Sequence, residues 1–233
     1  MTDYLAPSRP VANAPAETRG AFINRTYMHL FGAIAFFFLV ETYLFKSGMA
    51  LPLTQFMLGI GWLFILGGFM VVSWIATRVA HTVESVPLQY AALGGFVIAE
   101  AIIFCPMLYI AQTQMPGVID SAAWATLIAF GGLTAIAFVT GKDFSFLRSF
   151  LMWGGFAALG LIVLGALFGF NLGTFFTVGM IGFAGAAILY DTSNILHHYP
   201  QDRHVAAALQ LFGSVALMFW YVLRFFMAMS SSD

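Results

Sequence analysis

Seven stretches of predominantly apolar residues, each long enough to cross a bilayer, follow one another with only short connectors between them. They lie at about 27–46, 53–77, 87–111, 120–140, 146–168, 173–196 and 205–228. A helix needs roughly 20 apolar residues to span a ~30 Å hydrocarbon core, and each stretch meets that length. Backbone polar groups inside a bilayer must be satisfied within the segment, so the stretches read as helices. The connectors carry turn formers, namely Pro52, Pro87, Pro116–Gly117, Gly141, Asn171 and Pro200. They leave no room for a separate soluble domain. The expected fold class is therefore an all-α membrane protein with seven transmembrane helices, occupying residues 27–233. Residues 1–26 are expected to form a disordered cytoplasmic tail, because they are polar and rich in proline and arginine and lack the pattern of a signal peptide.

Composition agrees with a membrane solvent. Charged residues make up 8% of the 233-residue chain, whereas a soluble domain carries about 25%. The 26 phenylalanines and 23 glycines suit lipid-facing surfaces and close helix contacts. A formal net charge of −1 offers no basic field for nucleic acid. The lone cysteine, Cys105, excludes an internal disulfide and reads as a packing residue.

Orientation follows from the short loops. Arg9, Arg19, Arg25, Arg78, Lys142, Arg148 and Arg203 fall on one side, with Lys46 and Arg224 on the other. Cations accumulate on the cytoplasmic side, which places the N-terminus inside and the C-terminus outside.

Three carboxylates sit within spans: Glu41, Glu100 and Asp191. A charge near the bilayer centre costs ~2.5–3.5 kcal/mol on insertion scales, so each acid needs a partner, a proton or a function. At 1.5 Å per residue, Asp191 lies ~8 Å before the cytoplasmic end of span six, and Glu100 lies roughly 20 Å up span three. Glu41 is nearer the outer face, where snorkelling to the surface is the preferred reading. Together the acids suggest an ion ladder from outside to inside. Glu100 is either protonated in a packed interior or facing a wet cavity. Asp191 is neutralised by Arg78, prepares the helix end before "TSN", or has a function of its own.

Other polar groups have simpler readings. His197, His198 and His204 lie in or beside the loop after span six, without the spacing of a metal site. Asp143 or Ser145 can cap the start of span five. Pro106 is expected to kink or end a helical stretch. No cofactor and no bound metal are called for.

The segments "TGKDFSFLRSFL", "ILYDTSNILH" and "LFGSVALMFWYVLRFFM", with "CPML" in span three, resemble the Bax inhibitor-1 family over nearly the whole chain. "TSNILH" is most similar to the bacterial YccA-like branch. The resemblance implies six helices around a central one, and for several members a calcium leak gated by pH through two aspartates. Asp191 matches the first of these. The second position, ten residues before Arg224, is Ser214, so half of the pair is missing. It also implies an arginine at the end of span two that latches onto the span-six aspartate, and Arg78 is the candidate. For the YccA-like branch it implies binding and inhibition of an FtsH-type protease in the bacterial inner membrane.

Two functions are therefore expected: a regulator of an FtsH-type membrane protease, which the missing acid favours, or a pH-sensitive cation leak around Asp191 with calcium as the carried ion. Enzyme readings fail on residues. Intramembrane aspartyl proteases also carry a "YD" in a membrane helix, but they need a second aspartate on the next span, which has no acid. The retinal lysine of microbial rhodopsins is likewise missing, since the only lysines are Lys46 and Lys142.

Overall fold

The computed structural model describes residues 10–231, and Arg9 and the rest of residues 1–9 lie outside that range. Among the described residues the chain forms eight α-helices: α1 (Ala16–Lys46), α2 (Ala50–Ile60), α3 (Trp62–Thr82), α4 (Val86–Gln114), α5 (Val118–Thr140), α6 (Leu147–Phe168), α7 (Gly173–His197) and α8 (His204–Ser230). Seven of them, all but α2, are long and apolar enough to cross a membrane.

The second span departs from the expected unbroken stretch at 53–77. Gly61 sits at φ 95° and ψ 137°, a backbone region that only glycine enters readily, and it divides the apolar run into α2 and α3. Hydrophobic periodicity cannot reveal such a break, because both halves are equally apolar. The crossing helix consequently starts at Trp62 and runs to Thr82.

The N-terminal segment also departs from expectation. From Pro10 onward it is ordered: Pro10 forms an isolated antiparallel bridge with Pro200, and the Val11 amide donates to the Tyr199 carbonyl at 2.9 Å. Val11 is fully buried, and α1 begins at Ala16, well before residue 27. One apolar residue in a polar stretch supplies the anchor.

α8 is the central helix. Of its most apolar stretch 72% is buried, against 6% for α6, and it packs on α1, α3, α4, α5 and α7. Its consecutive alanines, Ala206, Ala207 and Ala208, are all fully buried and let neighbouring backbones approach closely. Phe37, Phe104 and Phe212 fill the remaining volume as edge-on and tilted pairs. The outer surface is apolar, as lipid requires, with Phe64, Val139 and Phe175 among its most exposed side chains. α6 is peripheral, packing on α7 and only sparsely on α3. α4 continues through Pro106 to Gln114, so the proline does not end the helix.

Candidate functional site

Two of the three intramembrane acids, Glu100 and Asp191, meet in a single cavity of the bundle. It has a volume of about 540 Å³ and lies between α3, α4, α6, α7 and α8. Glu100 reaches it from α4, Asp191 from α7, and Gln210 and Ser214 from α8. Gln210 and Ser214 are four residues apart, which puts them on one face of the central helix. Glu100 and Asp191 are 7% and 2% exposed, so the cavity and not the surface is their environment.

Asp191 is held by a neutral donor. The Ser214 hydroxyl donates a hydrogen bond to Asp191 Oδ2, and Gln210, one turn earlier on α8, lines the same cavity. The carboxyl of Glu100 has no hydrogen bond or ion pair within the described residues. Among the described residues, no lysine, arginine or histidine lines the cavity.

The ion pair expected between Asp191 and Arg78 is absent. Arg78 is exposed, with its guanidinium 5.5 Å from the centroid of the Trp74 ring. Helical register explains the difference. Ser73 and Thr77 are the α3 residues that face the cavity near this end, and Arg78 is one position round the helix from Thr77. Resting on Trp74, it points its charge away from the bundle.

Glu41 also departs from expectation. It is 6% exposed rather than snorkelling outward, and neither carboxyl oxygen has a hydrogen-bond partner. It does not line the cavity of Glu100 and Asp191. The ladder of three acids is therefore interrupted: two share a space and the third is enclosed elsewhere. Nearby, Cys105 is fully buried with its thiol directed to the Ala50 carbonyl at 3.9 Å, a packing position between α2 and α4.

One end of the cavity is walled by aromatics. Trp62, the first residue after the Gly61 break, stacks on Trp220 of α8 with centroids 5.5 Å apart, and Phe104 meets Trp220 edge-on at 5.0 Å. Beyond the Asp191 end, the loops interlock. Tyr199, between α7 and α8, bonds through its hydroxyl to His81 Nε2 at 3.2 Å, while His81 Nδ1 donates to the Thr77 carbonyl at 2.8 Å. Burial, with the nearby Asp191 and Tyr190, pushes the Tyr199 phenol up, so it remains a hydroxyl. Arg203 donates to the Val83 carbonyl at 2.6 Å, and Gln89 bonds the same carbonyl at 3.0 Å.

The α5–α6 loop docks on the same end. The Phe144 amide donates to Ser193 Oγ at 2.9 Å, and Asp143 pairs with His198 at 2.9 Å. Asp143 Oδ1 also accepts the Ser145 amide at 2.8 Å, so it closes a turn instead of capping α6, which starts at Leu147 without a side-chain cap. The Ser145 amide and then His198 hold the Asp143 carboxyl below the usual carboxylate range. His197 Nδ1 donates to the Ser193 carbonyl, and the His204 ring packs edge-on against His29. The three histidines thus take separate partners. Among the described residues, no group of three or more His, Cys, Asp or Glu is placed to hold a metal ion.

Gln210, the Trp62–Trp220 stack and the His81–Tyr199 pair were not singled out from the sequence. Gln210 left a usable signal, as an amide inside an otherwise apolar span one turn before Ser214. The other pairs join distant segments and left none.

The chain is similar in sequence to several known proteins. Residues 19–232 match the family described as "Inhibitor of apoptosis-promoting Bax1". An uncharacterised protein of Pseudomonas aeruginosa is 32% identical over 51% of this chain and 54% of its own length, so the chain aligns with little more than half of that relative. A protein named Bax inhibitor 1 of Schizosaccharomyces pombe is 27% identical over 99% of this chain and 85% of its own. A Golgi anti-apoptotic protein of vaccinia virus is 25% identical over 92% of this chain and 88% of its own.

Proposed function

This chain belongs to the Bax inhibitor-1 family of multi-pass membrane proteins, and on that premise we propose that it is a cation leak whose pathway includes the Glu100–Asp191 cavity. The observation that carries the reading is the placement of two buried carboxyls in one cavity that, among the described residues, no basic side chain lines. Carboxylate, hydroxyl and amide oxygens are the ligands that hard divalent cations prefer, and Glu100, Asp191, Ser214 and Gln210 supply all three kinds. Calcium is the proposed cargo. On this reading the interlocked loops at the Asp191 end close the pathway, which opens when those loops separate. The bacterial inner membrane, with residue 10 on the cytoplasmic side, is the proposed location.

Two aspartates on adjacent helices repel when both are ionised and so respond sharply to pH. Ser214 gives Asp191 a neutral partner instead. Calcium flux into liposomes between pH 5 and pH 8 should therefore vary weakly with pH in wild type and steeply in Ser214→Asp. A steep wild-type response that the substitution leaves unchanged would detach gating from this pair.

A second reading, inhibition of an FtsH-type membrane protease, is supported by the YccA-like "TSNILH" and by the serine in place of the second acid. Stable co-purification with such a protease, together with no flux at any pH, would select it over the leak.

A further inference from the structure

The cavity's walls have a chemistry that a bare metal ion does not use. Beyond the polar cluster it is lined by Trp62, Phe69, Phe96, Phe104, Trp220 and Tyr221. A hydrated or oxygen-coordinated ion gains little from such a surface. Aromatic faces carry negative charge density and attract organic cations, ammonium groups above all. At about 540 Å³ the space is within the range of cavities that hold small organic molecules.

Two further features select a cation that is also apolar. Glu100 is more than nine-tenths buried, faces the cavity and has no partner among the described residues, so a cationic ligand would supply the charge its carboxylate lacks. The side walls are α3 and α6, contributing Leu66 and Phe69 on one side and Leu159 and Ile162 on the other, and these helices touch only sparsely. This sparsely packed seam lies between two apolar spans, and a lipophilic amine concentrates in the bilayer that such spans adjoin.

We infer that the cavity is a binding site for lipophilic organic cations that enter sideways from the bilayer between α3 and α6. The ammonium group sits between Glu100 and the aromatic wall, with Asp191 beyond it, and the apolar portion lies against α6. The inference shares its site with the cation-leak reading but rests on the walls of the cavity, and binding is read without any flux.

The test is equilibrium binding of radiolabelled benzyltrimethylammonium to the full chain in nanodiscs, with empty nanodiscs subtracted. Neopentylbenzene, in which carbon replaces the charged nitrogen, is the neutral competitor. Saturable binding that this competitor fails to displace is expected. Glu100→Gln should weaken binding by roughly ten-fold, the worth of one charge-assisted contact. Trp220→Leu should weaken it by a factor of about two to five, in line with one cation–π contact. Trp153→Leu, on the lipid-facing side of α6, should bind like wild type.

Absence of saturable binding to folded wild type would overturn the inference, as would equal displacement by neopentylbenzene. So would binding unchanged in both folded cavity variants. The neutral competitor needs no variant, so a substitution that fails to fold leaves the test intact. Calcium flux from the same preparation reports the leak separately: binding without flux removes the leak and keeps the site, and flux without binding does the reverse.

Discussion

At Asp191 the carboxyl meets the Ser214 hydroxyl, not a guanidinium, and this decides what substitutions nearby will do. Arg78 lies over Trp74 outside the bundle, so Arg78→Gln should leave calcium flux unchanged within error at every pH between 5 and 8. A marked rise in flux on that substitution would instead mean that Arg78 latches Asp191. Glu41 leads to a different expectation. Its carboxyl is buried without a partner, and a buried polar group left unsatisfied costs about 1–3 kcal/mol. Glu41→Met fills a similar volume without that cost and should raise the melting temperature in detergent, with flux retained. A lower melting temperature would show that the carboxyl is satisfied in the membrane. The three intramembrane acids were legible in the sequence because charges are rare in apolar spans. Their partners were not, since the direction a side chain points depends on helix rotation, and one residue of register separates Thr77 in the cavity from Arg78 outside it.

Among the elements, the α5–α6 loop is tied to α7 by Asp143, which pairs with His198 and accepts the Ser145 amide. Its carboxyl is held below the usual range, so ionised Asp143 favours the docked loop. For a depressed carboxylate the sign is fixed: the contribution is complete above the ordinary value, about 3.9, and is lost as pH falls through the lower folded value. Docking should therefore persist across pH 5 to 8 and loosen only in stronger acid. Hydrogen exchange at the Phe144 amide, which bonds Ser193, reads this directly. Asp143→Asn should lower the protection factor of that amide at neutral pH towards the value wild type shows in acid, each taken relative to the intrinsic exchange rate at its own pH, and an unchanged protection factor would mean that Ser193 alone holds the loop. Helix existence was legible almost throughout, because seven apolar runs admit few other folds. The break at Gly61 was not, since it depends on one glycine conformation inside a run that is apolar on both sides. The order of residues 10–26 was missed for a related reason, as it depends on Val11 meeting Tyr199, nearly two hundred residues away in sequence.

Over the whole molecule, an apolar interior meets an apolar outer surface, and one cluster of acids, an amide and a hydroxyl interrupts that interior beside the central helix α8. Its consequence for function is that Glu100 and Asp191, on two different helices that both pack on α8, look into one space. If one cation meets both carboxyls there, their effects on transport cannot be independent. The decisive measurement is calcium flux into liposomes for wild type, Glu100→Gln, Asp191→Asn and the double variant, all checked for folding. Each single substitution is predicted to lower flux by roughly ten-fold, the worth of one charge-assisted contact, with the double variant little worse than either alone. Flux unchanged in the folded double variant, or losses that simply multiply, would contradict a shared cation site in this cavity.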